Sequence, residues 1–275
     1  MAEPSDKAGD RRPPDGHGGD RRPLIGVLGG LGPAATVDFY AKVVAATRAA
    51  RDQDHVRLII DGDPTVPDRS ASVSGRGESS APALVAKARR LAAAGADVLA
   101  MPCNSAHAYE AEIRQAVDLP FVSIVEETVR AARDRLADGA DRGSAVGVLA
   151  TSATAAARLY PKAFGVHGVT VVEPDAAGEA AFMSLLYRIK GGEEREQAVR
   201  DGMAELACGL VARGAGVIVA GCTEVPLVLD QGSLSAALTA AGLRDAAFID
   251  SSAALADAVV ALGSGARGGA RTPGS

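Results

Sequence analysis

Two cysteines occupy matching positions in the sequence. Cys103 follows the mainly apolar run 97–100, Cys222 follows the apolar run 217–219, and each precedes a polar residue and a helix-forming segment. Each thiol is therefore predicted at the carboxyl end of a strand, which is where open α/β sheets bind ligands. A thiol can act as a nucleophile, a metal ligand or a proton carrier. The pattern predicts that both thiols face one small substrate.

Proton transfer accounts for the paired thiols better than the other two roles. Inverting a stereocentre requires a base on one face and an acid on the other, and helix N-termini lower thiol pKa values. Metal binding requires several clustered ligands, and no histidine has ligand spacing to a cysteine. His107, one helical turn after Cys103, leaves a Cys–His nucleophile open, although a structural histidine is favoured. Cys208, inside a helical segment, is expected to be a buried apolar residue.

The composition disfavours several classes of function. The chain has 275 residues, 47% of them apolar and 3% aromatic, enough to build a full core from Ala, Val and Leu. The net charge is −5 and no basic patch is present, which argues against nucleic acid as a partner. Neither a membrane-spanning run nor an apolar signal core is evident, so a cytoplasmic location is predicted. Three cysteines do not make a disulfide framework in a chain of this size.

The two cysteine motifs end two halves of an internal repeat. Gly26 precedes Cys103 by 77 residues (103 − 26), and Gly147 precedes Cys222 by 75 residues (222 − 147). In each half a Gly-Ala pair begins eight residues before the cysteine. A nearly constant offset indicates a duplicated unit, although any two βαβ units share such patterns.

Hydrophobic periodicity predicts strands that alternate with helices, which is the pattern of parallel sheets with right-handed crossovers. The glycine-rich turn 29–33 does not have dinucleotide-binding spacing, so it is interpreted as a turn that lets backbone approach a small ligand. The predicted strands are 24–28, 56–60, 97–101, 121–124, 145–149, 169–172, 217–220 and 246–249. The predicted helices are 34–50, 81–94, 105–117, 126–138, a segment after Thr154 ending near 164, 176–189, 193–213 and 252–262.

Two terminal segments differ in character from the rest of the chain. Residues 1–22 and the tail from about 264 to 275 are rich in small, polar and charged residues. Such segments bury too little apolar surface to offset the entropy lost on ordering. Both are therefore predicted to be disordered.

Four stretches carry a resemblance to a known family: 26–33 (GVLGGLGP), 67–69 (PDR), 101–107 (MPCNSAH) and 220–225 (AGCTEV). With them the chain resembles the aspartate/glutamate racemase family, and within it the cofactor-independent aspartate racemases. The resemblance runs from about residue 24 to 262. It implies two similar parallel-sheet α/β domains related by pseudo-two-fold symmetry, with the active site between them. The first domain would be 23–122 plus 235–263, and the second 123–234.

The resemblance also implies roles for individual residues. Cys103 and Cys222 would be the acid and base of a racemase that uses neither pyridoxal phosphate nor metal. Arg69 and Lys190 would hold the substrate's side-chain carboxylate, although Lys190 could instead be a charge at a helix C-terminus. Ser105 departs from the family, which most often has threonine there, but it keeps the hydroxyl. The other predicted substrate contacts are Asn104, Ser105, Ala106, Thr154 and Thr223.

The predicted function is interconversion of L- and D-aspartate, or glutamate, by proton transfer between the two cysteines. The expected partner is a small-molecule amino acid, with no cofactor, nucleic acid or membrane, and the expected assembly is a homodimer. Alternative enzymes of the same superfamily are hydantoin racemase, maleate isomerase and arylmalonate decarboxylase, the last disfavoured because decarboxylation needs only one cysteine. A different class is a redox sensor whose thiols form a disulfide.

Overall fold

A computed structural model describes residues 22–138 and 143–264. The two tails predicted to be disordered lie outside these ranges, apart from Arg22 and Ser264. Within the described ranges the chain forms two parallel four-stranded sheets surrounded by helices, so the predicted α/β fold is confirmed.

The strands lie close to their predicted positions. Their bounds are β1 Leu24–Leu28, β2 Arg57–Asp61, β3 Val98–Ala100, β4 Phe121–Val122, β5 Ala145–Ala150, β6 Val171–Val172, β7 Ala215–Gly221 and β8 Ala247–Asp250. The helices are α1 Pro33–Ala46, α2 Arg69–Val73, α3 Ala81–Ala93, α4 Glu110–Ala116, α5 Ile124–Asp138, α6 Ser152–Ala156, α7 Leu159–Gly165, α8 Ala176–Lys190, α9 Gln197–Ala212, α10 Gln231–Ala240 and α11 Ser251–Gly263. Short 3₁₀ turns cover Asp52–Asp54, Ser105–Tyr109 and Val225–Leu227.

The two sheets share one strand order. The first runs β2-β1-β3-β4, the second runs β6-β5-β7-β8, and every pairing is parallel. Strands covered on both faces read as continuous apolar runs, and all seven residues of β7 are buried. In this strand order the first and third strands of each unit lie side by side at the centre of the sheet. Each cysteine follows the third strand.

A glycine in the first strand of each unit lets a helix approach the sheet closely. A Cβ on Gly26 would lie 2.8 Å from Ala96 Cβ and 3.2 Å from Leu91 Cβ. A Cβ on Gly147 would meet the counterparts of those residues, Leu210 Cβ at 2.9 Å and Ala215 Cβ at 3.1 Å. Contacts this short exclude any side chain at either glycine. Since Leu210, Ala215 and Cys222 each lie 119 residues after their first-unit counterparts (for example 222 − 103), packing as well as sequence is repeated.

The core has three parts. A central cluster fills the space between the sheets with side chains from β1, β5 and β7 and from helices α1, α5, α7 and α11. A second cluster packs α8, α9 and α10 on the outer face of the second sheet. A third packs α3 and α4 on the outer face of the first sheet. The continuous central cluster joins the two units and supports the loops that carry the cysteines.

The predicted return of the chain to the first domain near residue 235 is wrong in one respect. Strand β8 pairs with β7 in the second sheet, and α10 packs against that sheet too. Helix α11 then packs between α1 and α5. The return therefore begins at Ser251, where α11 starts.

Three further segments differ from prediction. The helix expected at 105–117 begins as the 3₁₀ turn Ser105–Tyr109 and becomes α4 only at Glu110. The helix expected to end near 164 is divided into α6 and α7 by Arg158, whose left-handed φ of 54° interrupts the helix. Helix α10 was not predicted, although it begins with a capping box in which Asp230 and Ser233 bond reciprocally.

Candidate active site

The two predicted cysteines line a single cavity between the sheets. Cys103 lies three residues beyond the end of β3, and Cys222 directly follows β7, so both occupy the predicted carboxyl ends of strands. Both side chains are buried and line the same cavity, whose volume is about 30 Å³. Sites for small molecules are usually several hundred Å³. The cavity is therefore small compared with a typical ligand site.

Both units contribute to the wall of this cavity. Polar side chains come mainly from the segment 68–70 after β2 and from the loops after β3, β5 and β7. Apolar side chains come from one face of α8 and from Leu31 in the loop after β1. The lining residues are Leu31, Asp68, Arg69, Ser70, Cys103, Asn104, Ser105, Thr151, Met183, Leu186, Tyr187, Lys190, Gly221, Cys222, Thr223 and Glu224.

The Cys103 thiol has neutral neighbours. Its Sγ donates to the Leu31 carbonyl oxygen at 3.5 Å and lies 3.7 Å from the Ser105 hydroxyl oxygen. Leu31 belongs to the glycine-rich turn, so this turn brings a main-chain carbonyl to the sulfur. Either the Ser105 hydroxyl or the thiol can donate the hydrogen bond between these two groups.

The Cys222 thiol has a charged neighbour. Its Sγ donates to Glu224 Oε2 at 3.0 Å, and the Thr223 hydroxyl donates to the same oxygen at 3.4 Å. Burial, and after it the charge of Glu224, raises the pKa of the Cys222 thiol well above its ordinary value. Cys222 therefore carries a proton at neutral pH in this arrangement.

Lys190 is paired within the protein. Helix α8 begins at its N-cap Asp175 and ends at Lys190, which places the ammonium group over the cavity. The ammonium donates to Glu224 Oε1. Burial disfavours the charged ammonium, but the charge and hydrogen bond of Glu224 outweigh burial and raise the pKa of Lys190. The predicted contact to a substrate carboxylate thus competes with an internal carboxylate.

Arg69 is held by main-chain carbonyls. Its N-terminal neighbour Asp68 caps α2 by accepting from the Ala71 amide at 2.8 Å, which fixes the start of this helix. The guanidinium donates to the carbonyls of Val66 and Pro67 at 3.1 Å and to that of Leu31 at 3.2 Å. These partners orient the fork without neutralising its charge, so the positive charge stays available to an anion in the cavity.

Asn104 joins the two units from the centre of the site. Its side-chain amide donates to the Ser251 hydroxyl at 3.0 Å, and its carbonyl oxygen accepts from the Tyr160 hydroxyl. All three residues are buried, and they come from the β3 loop, α11 and α7. Two of the hydrogen-bonding positions of Asn104 are therefore used by the protein, and one amide hydrogen is left for a substrate.

His107 has a structural role, which the sequence favoured over a Cys–His nucleophile. Its Nδ1 lies 2.8 Å from the Cys103 carbonyl oxygen, and its Nε2 accepts from the Ile124 amide at 3.1 Å. The second bond requires an unprotonated Nε2, and burial lowers the pKa of this imidazole, so the ring is neutral. His107 fixes the backbone at Cys103 and does not contact its thiol.

A sequence model of the Asp/Glu/hydantoin racemase family matches residues 28–259, which is most of the chain. The chain belongs to this family. A broad-specificity amino-acid racemase, RacX of Bacillus subtilis strain 168, is 30% identical over 216 residues, covering 76% of this chain and 88% of the relative. A glutamate racemase of Acidothermus cellulolyticus is 29% identical over 140 residues, which is 50% of this chain and 49% of the relative.

Solved structures of family members have the same fold. The aspartate racemase of Picrophilus torridus has a TM-score of 0.67 at 24% identity, covering 86% of this chain and 99% of the other. An aspartate racemase homologue from Pyrococcus horikoshii has a TM-score of 0.66 at 22% identity, covering 88% and 99%. At these identities the likeness establishes the shared two-domain fold.

The structure of this racemase-family member brings most of the predicted site residues together. Cys103, Cys222 and five predicted contacts line the cavity: Arg69, Asn104, Ser105, Lys190 and Thr223. Two predicted contacts do not line it. Ala106 is fully buried, and Thr154 lies behind Thr151, whose hydroxyl oxygen is 3.1 Å from that of Thr154. The N-cap residue Thr151 faces the cavity because the helix begins one residue later.

Sequence reasoning missed two kinds of residue in this family member. Glu224 lies two residues after Cys222, at the position that Ser105 occupies after Cys103, but no role was predicted for it. Met183, Leu186 and Tyr187 share a face of α8, and their part in the cavity depends on how α8 crosses the second unit. The repeat could have indicated Glu224, whereas the sequence contains no signal for the three residues of α8.

Two general features concern the described residues only. No helix within 22–138 and 143–264 combines the length and hydrophobicity needed to span a membrane. The same part of the chain contains no cluster of three or more His, Cys, Asp or Glu side chains arranged to hold a metal ion.

Proposed function

We propose that this protein is an amino-acid racemase in which Cys103 and Cys222 exchange protons with the substrate's α-carbon. The supporting observation is that equivalent positions of two repeated units place both thiols on one cavity. One thiolate removes the Cα proton, and the opposite thiol donates its own proton to the other face, which inverts the centre. The reverse reaction exchanges the two roles.

The cavity offers partners for each charged group of an amino acid. Arg69 suits a carboxylate because its guanidinium fork is held open by main-chain carbonyls. The free amide hydrogen of Asn104 and the hydroxyls of Ser105 and Thr223 can bind the remaining polar groups. On this basis we propose an acidic substrate, aspartate first and glutamate second, with Arg69 on the side-chain carboxylate.

A broader substrate range is the second candidate. Glu224 neutralises Lys190, which leaves one cation rather than two for an acidic side chain. Met183 and Leu186 add an apolar wall that suits neutral side chains. The relative from Bacillus subtilis is described as a broad-specificity racemase. A panel of L-amino acids, resolved by chiral chromatography, separates the two candidates.

The mechanism requires no cofactor, because the two thiols supply both proton-transfer groups. The homodimer expected from the family resemblance and the cytoplasmic location expected from the sequence stay predictions. Hydantoin racemase and maleate isomerase stay open as alternative activities, and arylmalonate decarboxylase stays disfavoured because decarboxylation needs only one cysteine.

Incubation with L-aspartate in deuterated buffer tests the function directly. The expected result is D-aspartate together with deuterium at Cα, at an unchanged rate after dialysis against a chelator and without pyridoxal phosphate. The Cys208→Ser variant is the matched control and should react like the parent, because Cys208 lies on α9 outside the cavity. Absence of Cα exchange with every amino acid tested, with reversible formation of a Cys103–Cys222 disulfide, would instead support the redox sensor.

A further inference from the structure

The repeat places different groups beside the two thiols. Ser105 and Glu224 are equivalent positions, each two residues after its cysteine. The Ser105 hydroxyl oxygen lies 3.7 Å from Cys103 Sγ, whereas Glu224 Oε2 accepts from Cys222 Sγ at 3.0 Å. Glu224 is only 4% exposed, so its carboxylate is poorly screened by water and acts strongly on the adjacent sulfur.

The carboxylate of Glu224 is fixed from three sides. Lys190, at the end of α8, donates to Oε1, and the Thr223 hydroxyl donates to Oε2. Gly32 packs against the same group from the first unit, since a Cβ there would lie 2.7 Å from Oε1. With Oε1 engaged by Lys190, Oε2 is directed at the Cys222 sulfur.

The other titratable groups around Cys222 are few. Tyr160 of α7 is buried, and burial raises its pKa, so it is neutral. Lys190 and Arg69 are cations and Asp68 is an anion on the cavity wall, and Cys103 and Tyr187 line the same cavity. Burial and Glu224 raise the pKa of Cys222, and Lys190 lowers it. Glu224 is the carboxylate at hydrogen-bonding distance from the Cys222 sulfur.

We propose that Glu224 is a positioning residue that keeps the proton on Cys222 in the substrate-free protein, so that Cys222 enters the reaction as the acid. This inference rests on the proposed function for its kinetic meaning, but the proton's location is a property of the free protein. No covalent bond forms or breaks. The S–H bond of Cys222 stays intact and donates a hydrogen bond to the Glu224 carboxylate oxygen.

The proposal has a defined kinetic consequence. Enantiomers have equal free energies, so kcat/KM must be the same in both directions, and any asymmetry appears in kcat and KM separately. The enantiomer whose Cα–H faces Cys103 binds the abundant resting form and shows the lower KM together with the lower kcat. Glu224→Gln makes the other form more abundant and shifts the ratio of the two KM values in favour of the other enantiomer.

Thiol alkylation tests the proposal without turnover. The rate of Cys222 modification by iodoacetamide is measured against pH in a Cys103→Ser, Cys208→Ser background, where Cys222 is the remaining thiol. Replacing Glu224 by Gln keeps the size and an acceptor oxygen but removes the charge. The alkylation rate of Cys222 near pH 8 should rise about tenfold or more, because a close carboxylate shifts a thiol's pKa by a unit or more.

Two further variants control for a general disturbance of the site. Lys190→Gln should change the rate in the opposite direction and slow alkylation of Cys222, because Glu224 then acts without its counter-ion. Cys103, measured in a Cys222→Ser, Cys208→Ser background, should react at the same rate with or without Glu224→Gln. Loss of structure would not produce opposite effects at one thiol and no effect at the other.

An unchanged or slower alkylation of Cys222 in Glu224→Gln would overturn the proposal, as would equal acceleration of Cys103. If the alkylation results hold but no amino acid is racemised by the parent protein, the proposed function fails while the role of Glu224 stands. If racemisation is found but Glu224→Gln alters neither alkylation nor the KM ratio, the proposed function stands and the role of Glu224 fails.

Discussion

At the residue scale, the two thiols have equivalent backbone positions but different chemical surroundings. Cys103 is near a carbonyl and a hydroxyl, and Cys222 is near a carboxylate. The proposed racemisation does not require identical acids and bases, because in it each thiol would serve as base in one direction only. The sequence repeat predicted that the two thiols form a pair. Ser105 and Glu224, which differ at equivalent positions of the repeat, indicate how the surroundings of the two thiols differ.

The substrate's charge is tested at Arg69. Arg69→Gln removes the cation and keeps a polar side chain with one NH₂ donor beside the Val66, Pro67 and Leu31 carbonyls. Loss of one charge-assisted hydrogen bond costs about 1.5–3 kcal/mol, which is roughly tenfold or more in affinity. We expect kcat/KM for aspartate to fall by that factor and kcat/KM for a neutral amino acid to change little.

Arg69→Lys is the matched control for charge, and it should keep part of the activity on aspartate. Equal losses for acidic and neutral substrates in Arg69→Gln would show that Arg69 serves the α-carboxylate or the loop alone.

At the element scale, the glycine-rich turn after β1 is fixed by a buried lysine. Lys87 of α3 is fully buried, and its ammonium donates to the carbonyl of Gly29 at 2.8 Å and to those of Asp61 and Asp63 at 3.0 Å. It is also 3.4 Å from Asp61 Oδ1. The turn in its place presents the Leu31 carbonyl to both Cys103 and Arg69. Lys87 thus orients the site from outside the cavity.

Removing this ammonium should destabilise the protein. Lys87→Met keeps the length of the side chain but leaves buried carbonyls without a donor, at a cost of about 3 kcal/mol. Urea denaturation followed by circular dichroism should show that loss in the free energy of unfolding. The control, Lys162→Met, removes an exposed lysine from α7 and should change it by no more than about 0.5 kcal/mol. A loss in Lys87→Met no larger than in the control would show that water replaces the ammonium.

Periodicity predicted the elements better than their junctions. Strands β1, β5 and β7 follow continuous apolar runs, and the sequence therefore located them within one or two residues. The break at Arg158 depends on a left-handed backbone at a residue that rarely adopts it, although Pro161 in the first turn of α7 signals a helix start. The exchange of Thr154 for Thr151 arises at the other end of α6, because the helix begins at Ser152 rather than after Thr154 and makes Thr151 the N-cap.

At the scale of the whole molecule, the site exists because two repeated units face each other across a shared core. The Tyr160 hydroxyl donates to the Asn104 side-chain carbonyl across that boundary, and Ser251, where the chain returns to the first unit, accepts from the Asn104 amide. The units are therefore coupled at the cavity itself. The sequence predicted two units from the spacing of glycines and cysteines. It could not place β8, because an apolar strand near the C-terminus is equally suited to the edge of either sheet.

The central claim is that both thiols are required, and single replacements test it most directly. Cys103→Ser and Cys222→Ser should each fold and each lose nearly all racemisation of the substrate, because a serine hydroxyl is too weak an acid to supply a base at neutral pH. Each variant should still deprotonate one enantiomer of an aspartate analogue that carries a leaving group at Cβ, and the analogue should then lose that group. The two variants should prefer opposite enantiomers of the analogue. If either variant racemises at close to the rate of the Cys208→Ser control, the two-thiol mechanism is contradicted.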